Sequence, residues 1–381
     1  MKTLLYMTKV AETFCIVPWI GAVVAPDKEN LICCRANDTP TEYTLDSVNT
    51  ETHKHLRDVL GKGIKDSICR RCWSDEAANI KSYRQNYNTA YKDLIASDSY
   101  SPAKLRFLEL TPSNVCNLAC RMCSSRYSSK IVAREKHLSS FNLMEEREKP
   151  HFTDWRDLDL THLEELKLMG GEPMYLKEHI EILEYLDSIN VLENLNLMVI
   201  TNCTHSINDK WRYFLTKAKR VHIAISIDAI GKVNEYIRQY SIWSEVEKNL
   251  QDIHNFSLDY SNKIFISVNC TVGIYNVNKT KELEDYMSQR GIHYYFNPLK
   301  YPDYQSLHCL SAEHKQYFLN QENVSNKLEH VLKEEESNVV SIEKVAEETT
   351  AVDEFYKKYL QDYNEEVYNL IYIKNYETRI L

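Results

Sequence analysis

The chain has 381 residues, 43% of them apolar and 27% charged, and a net charge of −9. These are the proportions of a soluble globular protein with room for about two or three domains and a substantial core. The acidic balance disfavours tight nonspecific nucleic-acid binding. Only 8 Gly and 9 Pro leave little room for long flexible linkers.

Three zones are expected along the chain: 1–98, 99–310 and 311–381. In the first zone, Lys9 and Glu12 interrupt the opening apolar stretch. The run from Ile16 to Pro26 is too short to cross a bilayer and contains Pro18 and Gly21. No secretory signal is evident, so a cytoplasmic location without a membrane partner is expected. The 11 cysteines should then be mostly reduced, and clustered ones read better as metal ligands than as disulfides. Five lie in this zone: Cys15, the adjacent Cys33 and Cys34 after a hairpin expected around Asp27-Lys28-Glu29-Asn30, and the pair Cys69 and Cys72. Spacing alone does not separate a four-cysteine zinc site from an iron–sulfur cluster.

The middle zone alternates strand and helix patterns. Apolar, β-forming runs occur at Leu105–Thr111, Glu165–Met169, Asn194–Thr201, Val221–Asp228, Lys263–Val272 and Ile292–Asn297. Helical patterns at Lys177–Leu186, Asp209–Ala218, Ser244–His254 and Lys279–Arg290 separate several of them. The fold class expected is α/β: a partial (β/α)6 TIM-type barrel with parallel strands and reactive groups at their carboxyl ends. The small N-terminal cysteine-rich module is expected to be α+β, and the C-terminal segment helical. Phe141–Trp155 reads as an insertion or lid-like loop.

Directly after the first strand of this zone comes Cys116-Asn117-Leu118-Ala119-Cys120-Arg121-Met122-Cys123. Three thiols in eight residues without a fourth nearby suit a cubane cluster with one open iron better than a closed zinc site. The second strand ends in Met169-Gly170-Gly171-Glu172-Pro173, where paired glycines allow close backbone approach. The third ends in Thr201-Asn202-Cys203. The fourth ends in Ser226-Ile227-Asp228, with Ser226 and Asp228 on one face. Asp228 also reads as a helix N-cap. Arg238 follows, and the fifth strand carries Asn269.

The cysteine triplet and the Gly-Gly-Glu-Pro turn closely resemble the signature of radical S-adenosylmethionine (SAM) enzymes. The resemblance implies a 4Fe–4S cluster on Cys116, Cys120 and Cys123, with SAM at the open iron. It implies a SAM pocket formed by Gly170, Gly171, Glu172, Pro173, Asn202, Ser226, Asp228, Arg238 and Asn269. Glu172 and nearby peptide groups would receive the SAM ammonium, and Arg238 would support its carboxylate. Cys203 stands where relatives often carry Gly.

The N-terminal cysteines resemble a twitch module, the short form of the SPASM domain. This implies a second 4Fe–4S cluster on Cys15, Cys69, Cys72 and one of Cys33 and Cys34, with Cys34 slightly preferred; zinc is the alternative occupant. The module precedes the barrel here, whereas in the better-known relatives it follows. The implied activity is reductive SAM cleavage to a 5′-deoxyadenosyl radical and hydrogen abstraction from a substrate. A peptide or protein side chain is the leading substrate class, and a small metabolite, nucleotide or sugar the alternative. A flavodoxin or ferredoxin would be the electron donor. A noncatalytic iron–sulfur scaffold or redox sensor is the competing reading. The acidic C-terminal stretch reads as a solvated helical face, and Tyr368–Leu381 as a segment packing across the open barrel or against a partner.

Overall fold

The computed structural model describes residues 10–25, 30–36, 48–138, 154–334 and 339–373. Eight strands form one sheet: β1 (Gly21–Val24), β2 (Asn30–Leu31), β3 (Phe107–Leu110), β4 (Glu165–Leu168), β5 (Asn196–Thr201), β6 (Arg220–Ser226), β7 (Ile264–Val272) and β8 (His293–Pro298). Their spatial order is β2-β1-β3-β4-β5-β6-β7-β8. All neighbours are parallel except β1 and β2, which form an antiparallel edge. The six strands expected in the middle zone are present, each within a few residues of its expected bounds. The seventh parallel strand comes from the first zone. β1 pairs with β3, Val23 opposite Glu109 and Val24 opposite Leu110, so this zone adds a strand to the barrel sheet.

Parallel strands need helical crossovers, and the sequence supplies them. Lys177–Ser188 joins β4 to β5, and Asp209–Lys217 joins β5 to β6. Gly231–Ile237 and Trp243–Asp259 join β6 to β7, and Thr280–Gln289 joins β7 to β8. Apolar spacing decides which face each helix buries. In Trp243–Asp259 the buried residues Val246, Asn249, Leu250, Ile253 and Phe256 recur at helical intervals and meet the outer face of the sheet. Local chemistry fixes several starts. The Asn208 side chain accepts from the Trp211 N–H, and Ser82 forms a reciprocal capping box with Gln85.

The remaining segments close around this unit. Residues 141–153 of the expected lid-like loop lie outside the described residues, and Trp155 at its end is buried in the main core. The C-terminal zone is helical and packs on the barrel. Helix Ile342–Tyr356 buries Val345, Glu348, Thr349, Val352 and Asp353, so it is more than a solvated face. Leu370 and Ile371 join the main core, while residues 374–381 lie outside the described residues. Among the described residues no helix is long and apolar enough to cross a membrane.

Two histidines have pKa values well below the ordinary imidazole range. His179, at the start of the helix after the Gly-Gly-Glu-Pro turn, is wholly buried, and burial lowers its pKa from 6.5 to about 4, only partly offset by the Met169 backbone. His222 on β6 is also lowered to about 4, by burial and then by Arg220. An unfolded chain therefore binds protons on these rings that the folded chain does not. Their contribution is fully present above about pH 6.5 and is lost as the pH falls toward 4, on the order of 3 kcal/mol for a fully buried ring. We expect the melting temperature to fall between pH 7 and 4.5, and to fall less in His179→Leu than in the wild type. Equal slopes in the two proteins would exonerate His179.

Candidate active site

The carboxyl ends of β3 to β7 converge on the loop that follows β3. At its start, the Thr111 N–H donates to the Val24 carbonyl at the end of β1 (2.9 Å). The loop then folds back on itself and on its neighbours. Ala119 N–H donates to Gln239 O (3.1 Å), Arg121 N–H to Ile237 O (2.9 Å), and Ser128 Oγ to Leu118 O (2.6 Å). The buried Arg134 guanidinium donates to the carbonyls of Cys120 (3.3 Å), Arg121 (3.3 Å) and Cys123 (2.7 Å). One cation thus gathers three carbonyl dipoles of the segment that carries the thiols.

Cys116 is buried, while Cys120 and Cys123 are half-buried. Burial raises the pKa of all three, to about 12 for Cys120 and about 11 for Cys123. Beyond burial, Cys123 and Cys116 raise the pKa of Cys120, and Cys116 raises that of Cys123. Among the described residues no three His, Cys, Asp or Glu side chains converge on a single-ion site. A cubane does not ask for that convergence, because each thiolate binds a different iron. The donor set of three thiols on one loop, beside a cavity, fits such a cluster.

The Gly-Gly-Glu-Pro turn lies against this loop. Gly170 and Gly171 both have positive φ, 82° and 55°. A Cβ on Gly170 would sit 1.9 Å from the Thr111 methyl, and one on Gly171 would sit 2.1 Å from the Val115 carbonyl oxygen. The Glu172 N–H donates to that same carbonyl (3.1 Å). The Glu172 carboxylate is buried and works internally. Its Oε1 accepts from Thr201 Oγ1 (2.6 Å) and Met174 N–H (3.0 Å), and its Oε2 from Asn202 N–H (2.6 Å). Burial raises its pKa despite these donors. Its visible work is to hold the end of β5 to the turn, and Pro173 follows at the same turn.

At the end of β5, Asn202 Nδ2 donates to Asn117 Oδ1 (2.9 Å), and Asn117 Nδ2 donates to Thr204 Oγ1 (2.8 Å). This amide pair ties β5 to the cysteine loop. Cys203 is buried with φ 62°, in the left-handed region that favours glycine. Ser226 and Asn269 end up side by side, paired across β6 and β7. Both are half-buried.

Asp228 corrects one expectation. The next helix starts at Gly231, so Asp228 is not its N-cap. Instead its Oδ1 accepts from the Thr271 N–H (2.8 Å), and its Oδ2 pairs with Arg238 Nε (2.8 Å). Arg238 is itself buried, with one nitrogen 4.0 Å from Cys120 Sγ. Burial opposes its charge, but Asp228 and Cys120 outweigh that and raise its pKa. Cys120, Cys123, Arg238 and Thr271 line a cavity of about 640 Å³ that extends to Tyr301 and Glu348, the size range of small-molecule sites.

The N-terminal cysteines form a second group. Cys15 feels Cys69 and Cys72, and Cys33 feels Cys15 and Cys69. Cys15, Cys33 and Cys69 also pack on one apolar cluster built around Phe14, Ile16 and Leu56. Cys34 faces elsewhere. Burial raises its pKa to about 11, and its charged neighbours are Glu109 and Lys167 on the inner face of the barrel. Of the adjacent pair, Cys33 is the one that packs on the same cluster as Cys15 and Cys69; adjacent residues of a turn point apart, and spacing does not tell which points inward. Arg84 braces this group by donating to the carbonyls of Glu12 (2.9 Å) and Phe14 (2.7 Å) while paired with Glu76.

Sequence reasoning missed Arg134, Arg121 and Arg84. In Arg134-Glu135-Lys136-His137 the arginine looks like one more surface charge, and only the fold turns it inward. The close approach at Gly171 yields a direct expectation. Gly231 also has positive φ, 61°, but open space around it. Gly231→Ala should cost only the left-handed backbone term, about 1 kcal/mol. Gly171→Ala should lower stability further and reduce iron retained on the cysteine loop, because the Val115 carbonyl must move. Equal losses in thermal melts and equal iron content would contradict this.

Residues 110–287 match the model of the Radical SAM superfamily. Among solved structures, the chain is similar to native anSMEcpe with bound AdoMet, at 16% identity over 66% of this chain and 62% of that one, with a TM-score of 0.39. It is similar to Streptococcus suis SuiB at 14% identity over 66% of this chain and 53% of that one, TM-score 0.34. SuiB bound to precursor peptide SuiA matches at 12% identity over 65% and 60%, TM-score 0.29. The chain thus spans less than two thirds of the length of each. No curated protein matches the chain. The stretch that matches the Radical SAM superfamily model, residues 110–287, takes in the cysteine loop, the Gly-Gly-Glu-Pro turn and the parallel strands β4 to β7.

Proposed function

We propose that this protein is a radical SAM enzyme that removes a hydrogen atom from a peptide or protein side chain. The observation that carries the reading is the cysteine loop itself. Cys120 and Cys123 line one cavity together with Arg238, and Cys116 precedes them on the same loop. A reduced 4Fe–4S cluster, when bound there, supplies the electron that cleaves SAM to methionine and a 5′-deoxyadenosyl radical. The chain's own residues do the positioning. Arg238, oriented by Asp228, offers its remaining donors to the SAM carboxylate. The peptide groups of Gly170 and Gly171 border the ammonium position, with Glu172 holding them through β5. Ser226 and Asn269 offer a hydroxyl and an amide to ribose hydroxyls.

Cys15, Cys33, Cys69 and Cys72 form a second metal site in this reading, holding an auxiliary 4Fe–4S cluster. The resemblance to twitch-bearing enzymes supports this and, with it, the peptide substrate class. A flavodoxin or ferredoxin supplies the electron.

The test is anaerobic reconstitution with iron and sulfide, followed by SAM and dithionite. We expect about eight irons per chain, falling to about four in Cys116/Cys120/Cys123→Ala with loss of 5′-deoxyadenosine, at cubane stoichiometry. Cys33→Ala should also lose about four irons, whereas Cys34→Ala should keep them. A fully loaded, reducible cluster that forms no deoxyadenosine would favour a scaffold or sensor. Zinc in place of the second set of irons would overturn the auxiliary cluster alone.

A further inference from the structure

Arg121 stands between two of the loop's thiols, and its side chain is only 1% exposed. A guanidinium so deeply buried must find its partners within the protein. Its carboxylate partner is Asp353 at 2.8 Å, itself 5% exposed, on helix Ile342–Tyr356. That helix lies outside the matched domain, which ends at residue 287.

Three further segments complete the socket. Arg121 Nε donates to Tyr236 O (2.8 Å), and another nitrogen donates to Lys358 O (3.2 Å). The Tyr236 ring lies 3.6 Å from the guanidinium carbon, and its hydroxyl donates to Asp353 Oδ1 (2.9 Å). The Leu360 N–H donates to Asp353 Oδ2 (2.8 Å). Gln305 Nε2 donates to the Arg121 carbonyl (3.3 Å). The same C-terminal helix presents Glu348 and Val352 to the cavity that Cys120 and Cys123 line.

We propose that the Arg121–Asp353 pair is a latch through which the C-terminal helix positions the cysteine loop. Arg121 and Asp353 are positioning residues, acting through the backbone between Cys120 and Cys123. Arg134 holds the carbonyls of this backbone, while Arg121 anchors it to the helix that walls the cavity. The loop cannot shift toward or away from the cavity without unpairing a buried charge. The inference rests on the proposed function in taking these thiols as cluster ligands. The latch itself is a property of the metal-free protein and is tested there first.

The test uses the full chain as wild type, as Asp353→Ala, and as the double variant Arg121→Met/Asp353→Leu. The double variant leaves no orphaned charge and keeps the protein folded if the single variant does not. Hydrogen exchange of the 116–124 segment is measured in metal-free protein, together with the melting temperature. In reconstituted protein, iron release to a ferrous chelator is followed for the phase that Cys116/Cys120/Cys123→Ala abolishes.

We expect loop exchange and iron release to rise about tenfold in Asp353→Ala, the scale of losing one charge-assisted hydrogen bond. The double variant should recover the melting temperature while its loop exchange and iron release stay fast. Exchange and release within about twofold of wild type in folded variants would overturn the latch. So would their recovery in step with the melting temperature, which is what a merely structural pair would show. Wild-type protein that binds no iron at these thiols would overturn the cluster assignment instead, and the exchange data would still judge the latch.

Discussion

The site depends on the close approach of two backbone turns. Gly171 lies under the Val115 carbonyl, one residue before the first thiol, with no room for a Cβ between them. The Glu172 N–H bonds that carbonyl, the Glu172 carboxylate bonds the end of β5, and Asn202 at that end bonds Asn117 in the cysteine loop. The contacts form a closed circuit from β3 through β4 to β5 and back. A parallel sheet brings these strand ends to one edge. The circuit then decides where on that edge each backbone segment stands.

Buried charge is the second organising element. Arg238 pairs with Asp228, and Arg121 with Asp353, while Arg134 is committed to carbonyls. Removing one partner of a buried pair typically costs about 3–5 kcal/mol, because the other charge is left stranded. Such pairs resist displacement even where they add little net stability. Three guanidiniums around a loop of thiols also make electrostatic sense. Burial penalises each thiolate, and Arg238 opposes that penalty at Cys120 and Arg134 at Cys123. The groups that hold the loop in place therefore also favour the ligating, deprotonated form of its side chains.

Much of this was legible in the sequence, for identifiable reasons. The strands of the middle zone are short, apolar and separated by amphipathic helices, and period and composition reveal such elements directly. The cysteine triplet and Gly-Gly-Glu-Pro are local motifs, so spacing exposes them. What stayed hidden depends on long-range contact. β1 is only four residues long and follows Pro18, and its place in the sheet comes from pairing with β3 more than eighty positions later. Asp228 has the local look of an N-cap, and only the turn of the chain at Arg238 gives it another partner. Cys33 and Cys34 differ in direction, which adjacency in sequence does not encode. Asp353 lies in a run of charges that reads as solvated, and its burial follows from packing against a loop 232 positions away in the chain.

In the proposed function, a cluster on the three loop thiols would leave one iron open for SAM. Its most direct test is hyperfine spectroscopy of the reduced protein with SAM labelled by ¹⁵N at the amino group and ¹⁷O at the carboxylate. The reduced cluster is expected to couple to both labels, and the coupling to disappear in Cys116/Cys120/Cys123→Ala. A reduced cluster on these thiols that couples to neither label would contradict it.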